Sequence, residues 1–267
     1  MALATALLLA GCSSGEIPVQ EIKSAAAISI TNGGTSSAKR VIALANGSAE
    51  ILLSLGLKQI LIGRDIASTE EVLLDIPIVT SGHQVVAENI LKLNPDLVLI
   101  DGATGPLTAI KTLRENGIKI VQVRQAWTLS DINLKIADIA GAVGAIPSGA
   151  ALSEKINQSL SEVMKADRKA RIAFLYLRGG NSIYLLGGKG SGADSLITAI
   201  NSVDAGAEFS KDPFTPVSAE VLAELNPDVI LVMSKGLASV GGVAGLKTLP
   251  GVAQTTAGKQ GRLLAVD

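Results

Sequence analysis

One histidine, one cysteine, one tryptophan, two tyrosines and three phenylalanines are spread over 267 residues, and each scarcity closes off a class of function. With His83 alone, a histidine-rich zinc or manganese centre cannot be assembled. A Ser–His–acid triad would have to use that same residue, and no G-x-S-x-G elbow accompanies it. Cys12 has no partner for an intrachain disulfide. Aromatics at 2% mean that any pocket is walled mostly by aliphatic side chains. A net charge of −1 without a basic run argues against a nucleic-acid partner. The apolar run Met1–Ala10 is too short to span a bilayer. After the first expected strand, ALANGSAE lacks the G-x-G-x-x-G of dinucleotide binders. The loop Gly187–Gly192, GGKGSG, has the wrong spacing before Lys189 for a P-loop; it reads as an anion site at a helix N-terminus or as a tight connection.

What is present begins at the N-terminus. Residues 1–12 read as a secretory signal that ends Leu9-Ala10-Gly11-Cys12 and has no Lys or Arg before its apolar part, so the start reads as trimmed. LAGC resembles the bacterial lipobox, which makes Cys12 the expected lipidated residue and places the protein outside the cytoplasm, tethered to the cell membrane. Residues 13–38, rich in Ser, Ala, Gly and Thr, read as a flexible linker. Over the whole chain, 48% apolar and 18% charged residues suit a globular protein with ample core.

Two stretches align without a gap. Glu88–Ile100 (ENILKLNPDLVLI) and Glu220–Val232 (EVLAELNPDVILV) each read as helix, Pro-forced turn and buried strand. A repeat this far apart points to two related lobes rather than a solenoid; the alternative is a helix–NPD–strand unit common to α/β proteins. Between the copies, residues 128–168 read as a helix opened by a Thr128/Asp131 capping box, a break at Gly144, and a long helix of some twenty residues entered through Pro147. The expected fold is therefore α/β, with two Rossmann-like lobes of parallel sheet at 39–127 and 169–267, joined by a helical strut with a cleft between them.

Strands are expected at 40–44, 59–63, 76–80, 96–100, 118–123, 171–177, 182–186 and 262–266, with helices at 49–55, 87–93, 107–116 and 193–201. Residues 204–216 read as irregular and 236–245 as a flexible loop; a domain of this kind would carry a closing helix after Asp267, so the second lobe reads as trimmed.

Three positions stand out chemically. His83 lies in Ser81-Gly82-His83-Gln84, directly after an expected strand, where open α/β sheets bind ligands; the plainer reading is an exposed loop imidazole. Tyr176 and Arg178 alternate onto one face near the end of a strand and just before glycines. A guanidinium beside a phenol favours phenolate, a ligand of ferric haem; the plainer reading is an amphipathic strand end. Met233 ends the second NPD strand as a pocket or core residue.

With RVIALANGSAEILLSLGL, ENILKLNPDLVLID and the strut in view, the chain after residue 39 resembles the substrate-binding lipoproteins of ABC importers for corrinoids, siderophores and haem. Within that class, TSGHQVVAENILKLNPDLVLID, FLYLRG and GGKGSGADSLI are similar to the HmuT-type haem-binding proteins of Gram-positive actinobacteria. The resemblance implies a monomeric binding protein and not an enzyme, with haem as cargo, His83 and Tyr176 as iron ligands, and Arg178 hydrogen-bonded to Tyr176. Met233 is carried over as a pocket residue; Ser81 is a further ligand-binding candidate, and the propionates call for rim cations or backbone N–H groups, for which the GGKGSG loop or Lys189 would serve. It also implies a permease and ATPase as partners, met through Glu50 on one lobe and Asp194 on the other. A corrinoid or siderophore in the same fold is the nearer alternative, and an extracytoplasmic α/β enzyme the more distant one.

Overall fold

A computed structural model describes residues 20–21, 28–30, 35–163, 165, 168–177 and 184–266; Cys12 and Arg178 lie outside the described residues. The chain divides into two compact units. The N-terminal unit comprises Ser24–Arg168 and Lys189–Ser202, and the C-terminal unit comprises Met1–Lys23, Lys169–Gly188 and Val203–Asp267.

The expected linker is partly structured. Strand β1 (Gln20–Glu21) pairs in parallel with the last strand of the C-terminal unit. Ile28 and Ile30 pack on the N-terminal core, and the Ser36 and Ser37 hydroxyls donate to the Val143 carbonyl. Composition misread this stretch because two isoleucines among small residues suffice to seat it.

In the N-terminal unit, β2 (Val41–Ala43), α1 (Ser48–Ser54) and β3 (Leu61–Arg64) precede a small hairpin of β4 (Thr80–Ser81) and β5 (Gln84–Val85). Then come α2 (Ala87–Lys92), β6 (Leu97–Ile100), α3 (Leu107–Glu115), β7 (Ile120–Gln122), α4 (Leu129–Val143) and α5 (Ile146–Ser161). The sheet is all parallel, in the order β3-β2-β6-β7. Its two central strands, β2 and β6, are apolar at every position because both faces are covered. Val41, Ala43, Leu97 and Leu99 point to one core with Leu52 of α1, Ile136 and Ile139 of α4 and Leu152 of α5. Ile42, Val98 and Ile100 point to the other, with Ile90 of α2 and Ile110 and Leu113 of α3. Each such Val, Leu or Ile side chain withdrawn from water contributes roughly 1.5–3 kcal/mol.

The expected strand at 76–80 is reduced to a single bridge, Arg64 with Ile78, before the hairpin. Pro77 beside it has no N–H for a ladder.

The strut is two helices of 15 and 16 residues, with Gly144 in left-handed backbone (φ 76°) closing the first. Asp131 accepts the Thr128 N–H (2.9 Å) and the Trp127 N–H (3.1 Å), the reaching-back arm of the expected capping box. Both helices pack within the N-terminal unit, where a Cβ on Gly149 would come within 2.5 Å of the Ala140 methyl.

In the C-terminal unit β8 (Arg171–Leu177) and β9 (Tyr184–Gly187) come first. The loop and α6 (Ala193–Ala199) that follow, which the sequence places in the second lobe, pack with the N-terminal unit, where the Leu129 N–H donates to Ser195 Oγ at 3.0 Å. The chain continues with β10 (Val203–Asp204), α7 (Ala205–Phe209), β11 (Phe214–Pro216), α8 (Ala219–Leu225), β12 (Val229–Met233), α9 (Ser234–Ser239), α10 (Gly242–Thr248), α11 (Thr256–Gln260) and β13 (Leu263–Val266). The sheet order is β1-β13-β12-β8-β9-β11, with β10 also on β8. It is parallel through β1, β13, β12, β8 and β10, as expected, while β9 and β11 pair antiparallel because β8 and β9 are joined by a connection too short for a crossover.

Two segments expected to be irregular are structured. Residues 203–216 hold β10, α7 and β11, and 234–248 form α9 and α10, with Gly241 (φ 87°) as the break that made the stretch read as a loop.

The NPD repeat has a structural purpose that the two units share. Asn94 and Asn226 both adopt left-handed backbone, φ 44° and 42°, closing their helices before the proline. The carboxylate of Asp96 then accepts the N–H groups of Lys39 and Arg40 (2.7 and 3.1 Å), and that of Asp228 accepts the Arg171 N–H (2.9 Å). Each aspartate thereby fixes the start of its unit's first central strand.

Candidate functional site

Within the N-terminal unit, the loops at the carboxyl ends of the parallel strands enclose a cavity of about 300 Å³. Asn46 follows β2, Asp65 follows β3, Asp101 follows β6, and Thr80 and His83 come from the hairpin. This is where open α/β sheets place ligands. A second cavity, of about 410 Å³, shares Asn46, Asp101 and Ala103 and extends past Trp127 to Lys135 on α4.

His83 occupies the second position of the two-residue hairpin turn, and Gly82 takes the first with φ 57°, the place a tight hairpin reserves for glycine. The imidazole is 82% exposed at the cavity mouth, its Nδ1 3.9 Å from Asp65 Oδ1. Strand alternation sends Thr80 and Val85 into the cavity wall and leaves Ser81 exposed, outside the lining.

Behind the mouth lies a fixed polar floor. Asp101 accepts the N–H groups of Asn46 and Ala103 and the Thr104 hydroxyl, each at 3.0 Å. Lys135, buried on α4, donates to the Asn46 carbonyl. Burial lowers its pKa, while Asp101 and Glu50 act to raise it. Glu50 on α1 has Oε2 buried without a hydrogen-bond partner.

In the C-terminal unit, Ala173, Leu175 and Leu177 of β8 face the core, so Phe174 and Tyr176 share the opposite face. Tyr176 is half-buried near the carboxyl end of the strand, its ring 5.7 Å from that of Phe214. The last registered pair of β8 and β12 is Leu175 with Val232, so Met233 stands one step on, beside Tyr176 and on the same face. Arg178 follows Tyr176 outside the described residues.

The glycine-rich loop has a plainer use than anion binding. Asp194 turns its carboxylate onto the N–H groups of Gly190 and Gly192, at 2.8 and 3.1 Å. Those amides are engaged by the chain itself, and so are both Asp194 oxygens. Lys189 sits in this loop with the N-terminal unit.

Asp65, Asp101, Trp127 and Lys135 escaped the sequence reading. The signal available was position: three of them end or follow parallel strands. Lys135 looks like an ordinary polar-face residue within LSDINLKIAD. Among the described residues, no group of three or more His, Cys, Asp or Glu could hold a metal ion, and no helix is long and apolar enough to cross a membrane.

Known proteins share this architecture. The heme-binding protein HmuT superposes with a TM-score of 0.78 at 33% identity, over 93% of this chain and 88% of that one. HmuT variants with a histidine, a tyrosine, or an arginine two residues after the tyrosine replaced by alanine give TM-scores of 0.78, 0.81 and 0.80. The periplasmic heme-binding protein RhuT from Roseiflexus sp. RS-1, in apo form, gives 0.79 at 32% identity, over 86% and 90% of the two chains. The uncharacterized ABC transporter substrate-binding lipoprotein YvrC of Bacillus subtilis is 23% identical over 208 residues, 72% of this chain and 63% of its own length. The model of the family described as periplasmic binding protein matches residues 41–267, from the first residue of β2 to the end of the chain, and the protein belongs to that family.

Proposed function

We propose that the protein is the haem-capturing component of an ABC importer, binding hemin through His83 and Tyr176 as axial ligands and passing it to a permease–ATPase pair. One observation carries this reading. A sole histidine at a cavity mouth is combined with a Tyr-x-Arg at the end of a strand, and the same residue types, with the same Tyr-to-Arg spacing, were replaced in HmuT. Imidazole and phenolate are both established haem ligands. The importer role is supported by the name of YvrC, and the membrane tether by the LAGC motif at Cys12. Met233 beside Tyr176 supplies a soft apolar contact for the macrocycle. Glu50 and Asp194, the latter also accepting two N–H groups of its own loop, are the two carboxylates proposed to meet the permease.

The test is an absorption titration of the apo protein with hemin, alongside His83→Ala and Tyr176→Ala. Saturation at one equivalent, with the Soret and charge-transfer bands altered in both variants, is expected. Weak, unsaturating binding by the wild type would overturn the haem reading, and a corrinoid titration then addresses the alternative cargo.

A further inference from the structure

We propose that Asp65 is the residue that orients His83 and strengthens it as a ligand: Nδ1 turns its proton to the Asp65 carboxylate and Nε2 is left to coordinate iron. The inference rests on the reading of His83 as an iron ligand and assigns the role of a residue no motif identified.

Asp65 is held from two directions. Its N–H donates to the Ala43 carbonyl at 3.1 Å, tying it to the end of β2, and its Oδ1 accepts the Ala67 N–H at 2.7 Å. Its side chain is 15% exposed, whereas that of His83 is 82% exposed. A fixed carboxylate thus faces an exposed imidazole, and the 3.9 Å between Oδ1 and Nδ1 closes to a hydrogen bond with a movement of about 1 Å at the turn.

The adjacent cation and the other carboxylate of the cavity are both engaged elsewhere. Arg64, the adjacent cation, directs its guanidinium to the carbonyls of Leu73, Ile76 and Ser68. Asp101, the other carboxylate of the same cavity, is committed to Asn46, Ala103 and Thr104. In neutral imidazole one nitrogen carries the proton and the other the lone pair, and the partner of the first decides which is which. A carboxylate there fixes the tautomer and raises the basicity of the coordinating nitrogen, and loss of such a partner weakens metal affinity about 10- to 100-fold. A more basic imidazole favours ferric over ferrous iron.

The experiment uses hemin-loaded full-length protein in four forms: wild type, Asp65→Asn, His83→Ala and the double variant. Asparagine keeps an oxygen for the Ala67 N–H, so the local fold is retained, and the thermal midpoint of the apo form checks this. Expected for Asp65→Asn are about 10-fold weaker hemin affinity, a higher ferric/ferrous midpoint potential, and no further loss when His83→Ala is already present. A wild-type potential in Asp65→Asn, or losses that add in the double variant, would overturn the proposal for Asp65 alone. If His83→Ala leaves the spectrum and potential unchanged, the ligand reading itself fails and this inference falls with it.

Discussion

The rings of Tyr176 and Phe214 stand 5.7 Å apart, tilted by 57°, although their strands are separated by β9. The gap is bridged because Phe214 pairs with Gly187, which has no side chain to fill it. Phe174 approaches the same ring edge-on at 6.5 Å. Half of the chain's six aromatic residues therefore gather on one patch of sheet, and Phe214 is the buttress that sets the direction of Tyr176.

Phe214→Ala is accordingly expected to leave the protein folded, since Phe214 lies on an exposed edge strand. It removes the ring against which Tyr176 packs. The hemin complex of this variant should show a broadened, shifted charge-transfer band; an unaltered band means that Phe214 does not position Tyr176.

Lys135 makes a pH-dependent contribution. Burial lowers its pKa below the ordinary lysine value near ~10.4. Between the lowered native value and the unfolded one, the unfolded chain holds more protons than the native chain, so this contribution to stability rises with pH across that window. Urea midpoints followed through the alkaline range should rise less steeply in Lys135→Met than in the wild type. Parallel slopes would show that the ammonium is not desolvated.

Asp138 of α4, whose pKa is lowered too, gives the same sign of slope in the acid range. Arg124 holds it bidentately, at 2.6 and 2.9 Å, and keeps its carboxyl below the usual range. The pair's contribution is present above the unfolded carboxyl value near ~3.9 and is lost as pH falls through the lowered native value. Thermal midpoints of the wild type and Asp138→Asn should differ at pH 6 and converge in acid.

Two glycines should respond in opposite directions to alanine. At Gly206 a Cβ would lie 1.8 Å from the Gly187 carbonyl oxygen, so Gly206→Ala drives α7 off β9 and should abolish soluble expression or the cooperative unfolding of the C-terminal unit. At Gly141, exposed in α4 with nothing within 4 Å, Gly141→Ala should stabilise by roughly 0.5–1 kcal/mol in urea unfolding.

The α4 interface provides a packing test. Ile139 is fully buried against the N-terminal sheet, and Ile139→Ala should cost about 2–5 kcal/mol in equilibrium unfolding. A cost under 1 kcal/mol would mean that α4 is not part of that core.

Much of this protein is local in origin and was legible in one dimension. The alternation of Val41, Ile42 and Ala43, the Asn-Pro-Asp repeat, the Thr128–Asp131 cap and the Gly144 stop depend on neighbours a few residues away, so spacing alone reveals them. His83 and Tyr176 were legible as types placed at strand ends. The rest depends on pairings between distant segments. Lys135 reaches Asn46 across 89 positions, Phe214 meets Tyr176 across Gly187, and Asp65 comes near His83 only because a hairpin folds back over the end of β3. Gly190 looked free to bind an anion until the loop closed it upon the Asp194 carboxylate. Hydrogen bonds and charge pairs act over a few ångströms of space whatever the separation along the chain, so the sequence determined the elements and the residue types, and only the tertiary structure decided which side chains meet.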